Sequence, residues 1–237
     1  MDEIRISAKK LGQLALPSFC PRCFWLKMRL KHRLPWSIFP GIFSSIDSYS
    51  KKVTNLFWER NDRLPGWFRN FGDLVRPVPT PHHNRFFIID EETGIRLTGV
   101  PDEILRQRDG FFFIADYKTA RFTAHQDELI PMYEVQLNGY AYIGNRQGFD
   151  PVAGIGLVYY EPRTELAEER LSDVILADGF YMRFEAKIMP LELRAEEMIP
   201  PLLRKAREIV DCDEPPLGRQ GCKDCQLIDK LIGLLRQ

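Results

Sequence analysis

Gly99-Val100-Pro101-Asp102 and, fourteen residues after that aspartate, Asp116-Tyr117-Lys118 form the stretch whose reading decides the fold. Between them lie two apolar runs, around Ile104-Leu105 and from Phe111 to Ala115, separated by Arg108-Asp109-Gly110. Asp-Gly between such runs is a strong hairpin signal. Side chains alternate along a strand, so Phe112, Ile114, Asp116 and Lys118 share one face and Tyr117 points away. A three-residue loop, Arg108 to Gly110, sets Asp102 opposite Asp116; a two-residue loop sets Glu103 there instead. Pro101 also fits a bulge that re-aims Asp102. Either register leaves two carboxylates about 5 Å apart at Cβ, and such a pair repels unless a cation lies between them. A surface hairpin with a plain Asp–Lys ion pair is the competing reading.

Working outward, a helix is expected from about residue 127 to 144, which puts Tyr133, Gln136 and Tyr140 on one side. Another helix is expected from about 45 to 61, where Ile46, Tyr49, Val53, Leu56 and Phe57 recur at helical spacing. Residues 6–34 read as helix broken at Leu16-Pro17-Ser18. The Pro- and Gly-rich stretch 62–85 reads as irregular. Strands are expected at 85–89, 96–106, 111–117, 154–160 and 180–188. A last helix is expected from 191 to 210, interrupted or started by Pro200-Pro201. The fold class is therefore α/β, a central mixed sheet flanked by helices, in one domain spanning residues 1–237.

Lys+Arg and Asp+Glu balance at 33 each, so bulk charge does not mark a nucleic-acid binder. From Arg22 to Arg33 the chain is basic without an acid, which makes either a local phosphate-binding face or an ordinary solvated helix surface. No apolar run is long enough to span a membrane. The N-terminus lacks a signal-peptide core, so a cytoplasmic location with reduced thiols is expected. Five cysteines occur, and Cys20/Cys23 and Cys222/Cys225 are two Cys-x-x-Cys pairs near opposite ends. Two such turns complete a tetrahedral thiolate set that suits zinc or an iron–sulfur cluster. Buried free thiols are the lesser alternative.

Gly99-Val100-Pro101-Asp102, Asp116-Tyr117-Lys118-Thr119 and Gln136-Leu137-Asn138-Gly139-Tyr140 resemble, in order and spacing, the successive motifs of the PD-(D/E)xK nuclease superfamily, closest to its RecB-type branch. The match covers roughly residues 96–145. It implies a restriction-endonuclease-like core over 45–190, with Asp102, Asp116 and the backbone carbonyl of Tyr117 holding Mg²⁺ or Mn²⁺. Lys118 would orient or activate the attacking water, and Gln136 and Tyr140 would support the site or contact the DNA backbone. The family draws a further His or Glu from the preceding helix. That helix has no His here; Asp47, with Lys51 one turn later, is the favoured substitute over Glu59, His82 and His83.

Several RecB-type nucleases, CRISPR adaptation exonucleases and helicase-nucleases among them, carry one cysteine before the core and three after it, binding a [4Fe–4S] cluster. Cys20-Pro21-Arg22 followed by aromatics is similar to their first segment. This chain departs from one-plus-three, and Cys20, Cys23, Cys222 and Cys225 are the favoured ligands over a set that includes Cys212. The cluster, preferred on family grounds over Zn²⁺, would join segments 1–44 and 211–237. The expected function is a metal-dependent DNA nuclease of repair, recombination or mobile-element defence. Its DNA would be single-stranded or end-bearing, with Phe24, Trp25 and Trp36 available to stack on bases and a helicase or repair partner possible. Nothing in the sequence sets an oligomeric state. A catalytically silent DNA-binding module of the same fold and a metal-stapled interaction domain are the competitors.

Overall fold

The computed structural model describes residues 3–30, 41–122, 128–165 and 167–235. In chain order the elements are β1 (Arg5–Ser7), α1 (Ala8–Gly12), α2 (Pro21–Arg29), α3 (Gly41–Asn61), β2 (Leu74–Val78), β3 (Phe87–Ile89), β4 (Arg96–Thr98), β5 (Glu103–Gln107) and β6 (Phe112–Lys118). They continue with α4 (Ile130–Arg146), β7 (Val152–Pro162), the short pair β8 (Ile175–Leu176) and β9 (Gly179–Phe180), β10 (Phe184–Leu191), α5 (Ala195–Asp211) and α6 (Lys223–Leu235).

Five strands in the order β10-β7-β6-β5-β2 make the main sheet. Its centre is the parallel pair β6 and β7, the two most continuously apolar runs of the chain. Strands buried on both faces need no polar alternation, and a parallel pair needs a crossover, which α4 supplies. One face carries Phe112, Ile114, Ile155, Leu157 and Tyr159 toward α4 and α5. The other carries Leu105, Phe113, Ala115, Tyr117, Val158 and Tyr160 onto Phe68 and Phe71.

The β5–β6 turn follows the three-residue reading. Gln107 N–H donates to the Phe111 carbonyl at 2.8 Å, and Phe111 N–H to Asp109 Oδ1 at 3.0 Å. Gly110 takes φ +95°, where a side chain would be strained. Glu103 pairs with Ala115, so one further step brings Asp102 level with Asp116.

A second sheet, β1-β4-β3, packs Ile6 and Leu97 into the same core, with Phe86 just before β3 beside them. The expected strand 96–106 is therefore two strands in two sheets, and Gly99 to Asp102 is the seam between them. Pro101 has no N–H to continue a ladder there. At Gly99 an added Cβ would lie 2.7 Å from Tyr140 Cδ1, so only glycine lets the seam run against that ring.

Other expectations need correction. Arg5–Ser7 is a strand paired in parallel with β4, not helix, and Ser7 Oγ accepts from Lys10 N–H at 3.2 Å to start α1. Within the supposedly irregular 62–85, β2 is the sheet's edge strand, where Pro77 is tolerated. The expected helix over 45–61 forms as α3, though its apolar repeat faces outward: Tyr49 is 65% exposed, and Thr54 is the helix's one buried residue. α5 starts before Pro200 and runs through Pro201, its stripe Ala195, Ile199, Leu203 and Ala206 buried against the core. The helix α6 had no sequence-based expectation. Among the described residues no helix is long and apolar enough to cross a membrane.

Candidate active site and thiolate cluster

Asp116 projects from β6 on the α4 side of the sheet and is buried, and Asp102 meets it from the seam. Each carboxylate oxygen already has a donor. Asp102 Oδ2 accepts from the Tyr117 N–H at 2.6 Å, and its Oδ1 lies 2.6 Å from Lys51 Nζ. Asp116 Oδ1 accepts from Gln136 Nε2 at 3.0 Å, and its Oδ2 takes the Lys118 ammonium. Burial, and after it the Asp116 charge, pushes the Asp102 carboxyl up to about 6 against the pull of Lys51. The pair offers hard oxygen donors, the kind that divalent cations of the Mg²⁺ type take.

Lys118 is anchored from α4. Its Nζ lies 3.3 Å from Gln136 Oε1 and 4.4 Å from the Tyr133 ring centroid. Gln136 Nε2 also donates to the Tyr140 hydroxyl at 2.7 Å. The Tyr140 ring is buried, with Gly99 against it, and its hydroxyl meets Gln136. Asn138, between them in sequence, turns the other way and binds the Glu192 carbonyl and the Arg194 N–H, fixing α4 to the α5 entrance.

The structure therefore brings Asp102, Asp116, Lys118, Gln136 and Tyr140 together. Asp47 joins only through Lys51, whose ammonium bridges its Oδ2 at 2.9 Å and Asp102. Burial works against the Lys51 charge, but Asp102 and Asp47 outweigh it and raise its proton affinity. Glu59, His82 and His83 are exposed, the two histidine rings facing each other 4.0 Å apart between centroids. Among the described residues no three carboxylate or imidazole groups converge as metal ligands do.

One neighbour was missed by sequence reasoning, and another, Glu103, was weighed there only as the alternative partner of Asp116. Lys9 on α1 feels Lys118, Asp116 and Asp102, and burial followed by Lys118 lowers its proton affinity; no spacing in the sequence points to it. Glu103 sits on the opposite sheet face, accepting from Tyr117 Oη at 2.9 Å, and burial pushes its carboxyl up to about 7.

At the far side of α2, the four sulfurs of Cys20, Cys23, Cys222 and Cys225 lie within 4.8 Å of one another. Cys20–Cys225 and Cys23–Cys225 are 3.5 Å apart and Cys23–Cys222 is 3.6 Å. Thiolates around one tetrahedral Zn²⁺ at about 2.3 Å from each sulfur stand about 3.8 Å apart, so this spacing fits a single ion closely. The Arg219 N–H donates to Cys20 Sγ at 3.2 Å. Arg22 clasps Asp229 of α6 through two bonds, at 3.1 and 2.6 Å. Cys212 stands apart, its sulfur against the Glu208 carbonyl.

The base-stacking expectation needs correction. Phe24 is 2% exposed and belongs to the core. Trp25 donates its indole N–H to the Cys212 carbonyl at 2.8 Å, with the Arg29 guanidinium over its ring. Trp36 and the basic residues Lys31 to Arg33 lie outside the described residues.

A family model for the PD-(D/E)XK nuclease superfamily matches residues 20–229 of the chain. Among solved structures, an alkaline exonuclease from Laribacter hongkongensis aligns with a TM-score of 0.41 at 10% identity, covering 98% of this chain and 92% of its own. The protein SSO0001 aligns with a TM-score of 0.39 at 15% identity, covering 91% and 80%. No curated protein matches the chain.

Proposed function

This chain belongs to the PD-(D/E)XK nuclease superfamily, and from that premise we propose that it is a DNA nuclease dependent on Mg²⁺ or Mn²⁺. The observation that carries this reading is the convergence of a buried carboxylate, Asp116, a partly buried one, Asp102, and the Lys118 ammonium at one point of the sheet. Asp102, Asp116 and the carbonyl of Tyr117 would hold the cation. When bound, such a cation lowers the proton affinity of a nearby water and neutralises charge on the phosphate. Lys118 would orient the attacking water and donate to the phosphate oxygen on which charge grows, an electrostatic role that needs its position fixed beforehand. Gln136 does that fixing, since it touches both Asp116 and Lys118, and Tyr140 holds Gln136. Single-stranded or end-bearing DNA, met in repair, recombination or mobile-element defence beside a helicase, is the substrate setting this reading favours.

A second reading, a silent DNA-binding module, is favoured by the absence of a third converging carboxylate among the described residues. Plasmid nicking in Mg²⁺ separates the two. Cleavage by the native chain that Lys118→Ala abolishes supports the nuclease; equal silence in both supports the module.

The four thiolates would act as a structural staple. Their spacing supports Zn²⁺, and the family resemblance supports [4Fe–4S]. Absorbance of anaerobically purified protein decides, because a cluster colours it brown and zinc leaves it colourless.

A further inference from the structure

Counting charge around Asp102 and Asp116 exposes a competition. The two carboxylates are in contact with two ammoniums, Lys118 and Lys51, and feel a third, Lys9, so the protein itself neutralises the pair. A cation held there needs at least one ammonium to yield. The two are not equally free to do so. Lys118 is 12% exposed at its side chain and held by Gln136 and the Tyr133 ring. Lys51 is 32% exposed and already has a second partner, Asp47, one turn back on α3. Lys51 also lines a groove of about 370 Å³ between α3 and β2, together with Asn55, Trp58, Pro77, Thr80 and Asp102. The half-buried Trp58 indole and a candidate metal ligand line the same groove, a combination suited to a base with its phosphate near the acid.

We propose that Lys51 competes with the divalent cation for Asp102, and that once off this carboxylate it serves as the phosphate clamp of a nucleotide subsite in the α3–β2 groove. The proposal rests on the metal-dependent nuclease reading and adds to it a residue, a subsite and an order of partners. Lys51 is a positioning residue on Asp102 in the cation-free protein and a substrate contact in the loaded one. Trp58 stacks on the base, and Asp47 keeps the released ammonium near the site.

Three variants test this: Lys51→Met, Lys51→Arg and Trp58→Ala. Mn²⁺ affinity is measured by calorimetry without DNA. Lys51→Met should bind Mn²⁺ about tenfold tighter than the native chain, because a competing charge is gone, and Lys51→Arg should not. Binding of a labelled oligothymidylate is then followed against salt, with and without Ca²⁺ as a non-cleaving cation. In Ca²⁺, Lys51→Met should flatten the log–log salt slope by about 0.7, the loss of one single-strand phosphate contact; without Ca²⁺ the slope should match the native one. Trp58→Ala should weaken binding about tenfold while leaving that slope alone. Equal or weaker Mn²⁺ binding by Lys51→Met, or an unchanged slope in Ca²⁺, overturns the proposal even if the native chain binds Mn²⁺ and cleaves. Failure of the native chain to bind Mn²⁺ overturns it together with the nuclease reading. If Lys51→Met does not fold, Asp47→Asn replaces it: with its second partner gone, Lys51 should hold Asp102 more firmly and weaken Mn²⁺ binding, and tighter binding refutes the idea.

Discussion

The acidic site and the thiolate cluster obtain their geometry from opposite sources. Asp102, Asp116, Lys118, Gln136 and Tyr140 come from one hairpin and the helix after it, and a hydrogen-bonded chain fixes each to the next. Sheet register sets their spacing before any ion arrives. The cysteines join segments 199 residues apart, Cys23 to Cys222. Beyond that cluster, α6 buries nothing but Cys225 and clasps α2 through Arg22 and Asp229. The contrast teaches that one centre has its geometry set by local sheet register, whereas the other depends on two distant segments being held together.

The largest test of that difference is Asp116→Asn. It should lower the nicking rate by about 10³-fold while leaving the hairpin's amide exchange protected; loss of protection over residues 103–118 would break the contrast. Next, Cys225→Ser or chelation should destabilise the chain by about 3 kcal/mol. Amide exchange should then rise over 223–235 first and leave the hairpin closed. Simultaneous opening of both would show that the cluster supports the whole domain.

A third test sharpens the fold-built side through pH. Glu103 keeps its proton up to about pH 7 when folded, against 4.5 unfolded. The folded state binds more protons in that window, so stability falls as pH rises through it. Glu103→Gln should remove on the order of 2 kcal/mol of that fall, seen as a flatter melting temperature between acid and neutral pH. The smallest effect is expected for Tyr140→Phe, which strips the acceptor from Gln136. Loss of about 1 kcal/mol should slow cleavage severalfold with substrate affinity unchanged.

How much of each region was legible in the sequence follows the same divide. The hairpin was readable because Asp-Gly, strand alternation and the carboxylate spacing are local and mutually consistent. The two-plus-two thiolate grouping was readable because Cys-x-x-Cys is a local signature, although its meeting across the chain is not. What escaped depends on tertiary company. β1 has three residues, too few for a periodic signal, and needs β4 beside it. β2 hides behind Pro77, tolerable only because the strand lies at an edge. The stripe on α3 advertised an apolar face correctly, but periodicity says nothing of what covers it; the helix instead turns Lys51 and Thr54 toward the sheet. Lys9 reaches the acids only because Ala8 lets α1 sit on Gly139 of α4, where an added Cβ would lie 2.7 Å away.

The seam from Gly99 to Asp102 has a mechanical consequence. Asp116 rides the middle of the large sheet, whereas Asp102 hangs from a bridge whose other abutment is the three-stranded one. Slippage between those two plates would part the acids while each plate stayed intact. On warming, the two carboxylates should therefore drift apart below the temperature at which the backbone melts, a local loosening that precedes global unfolding.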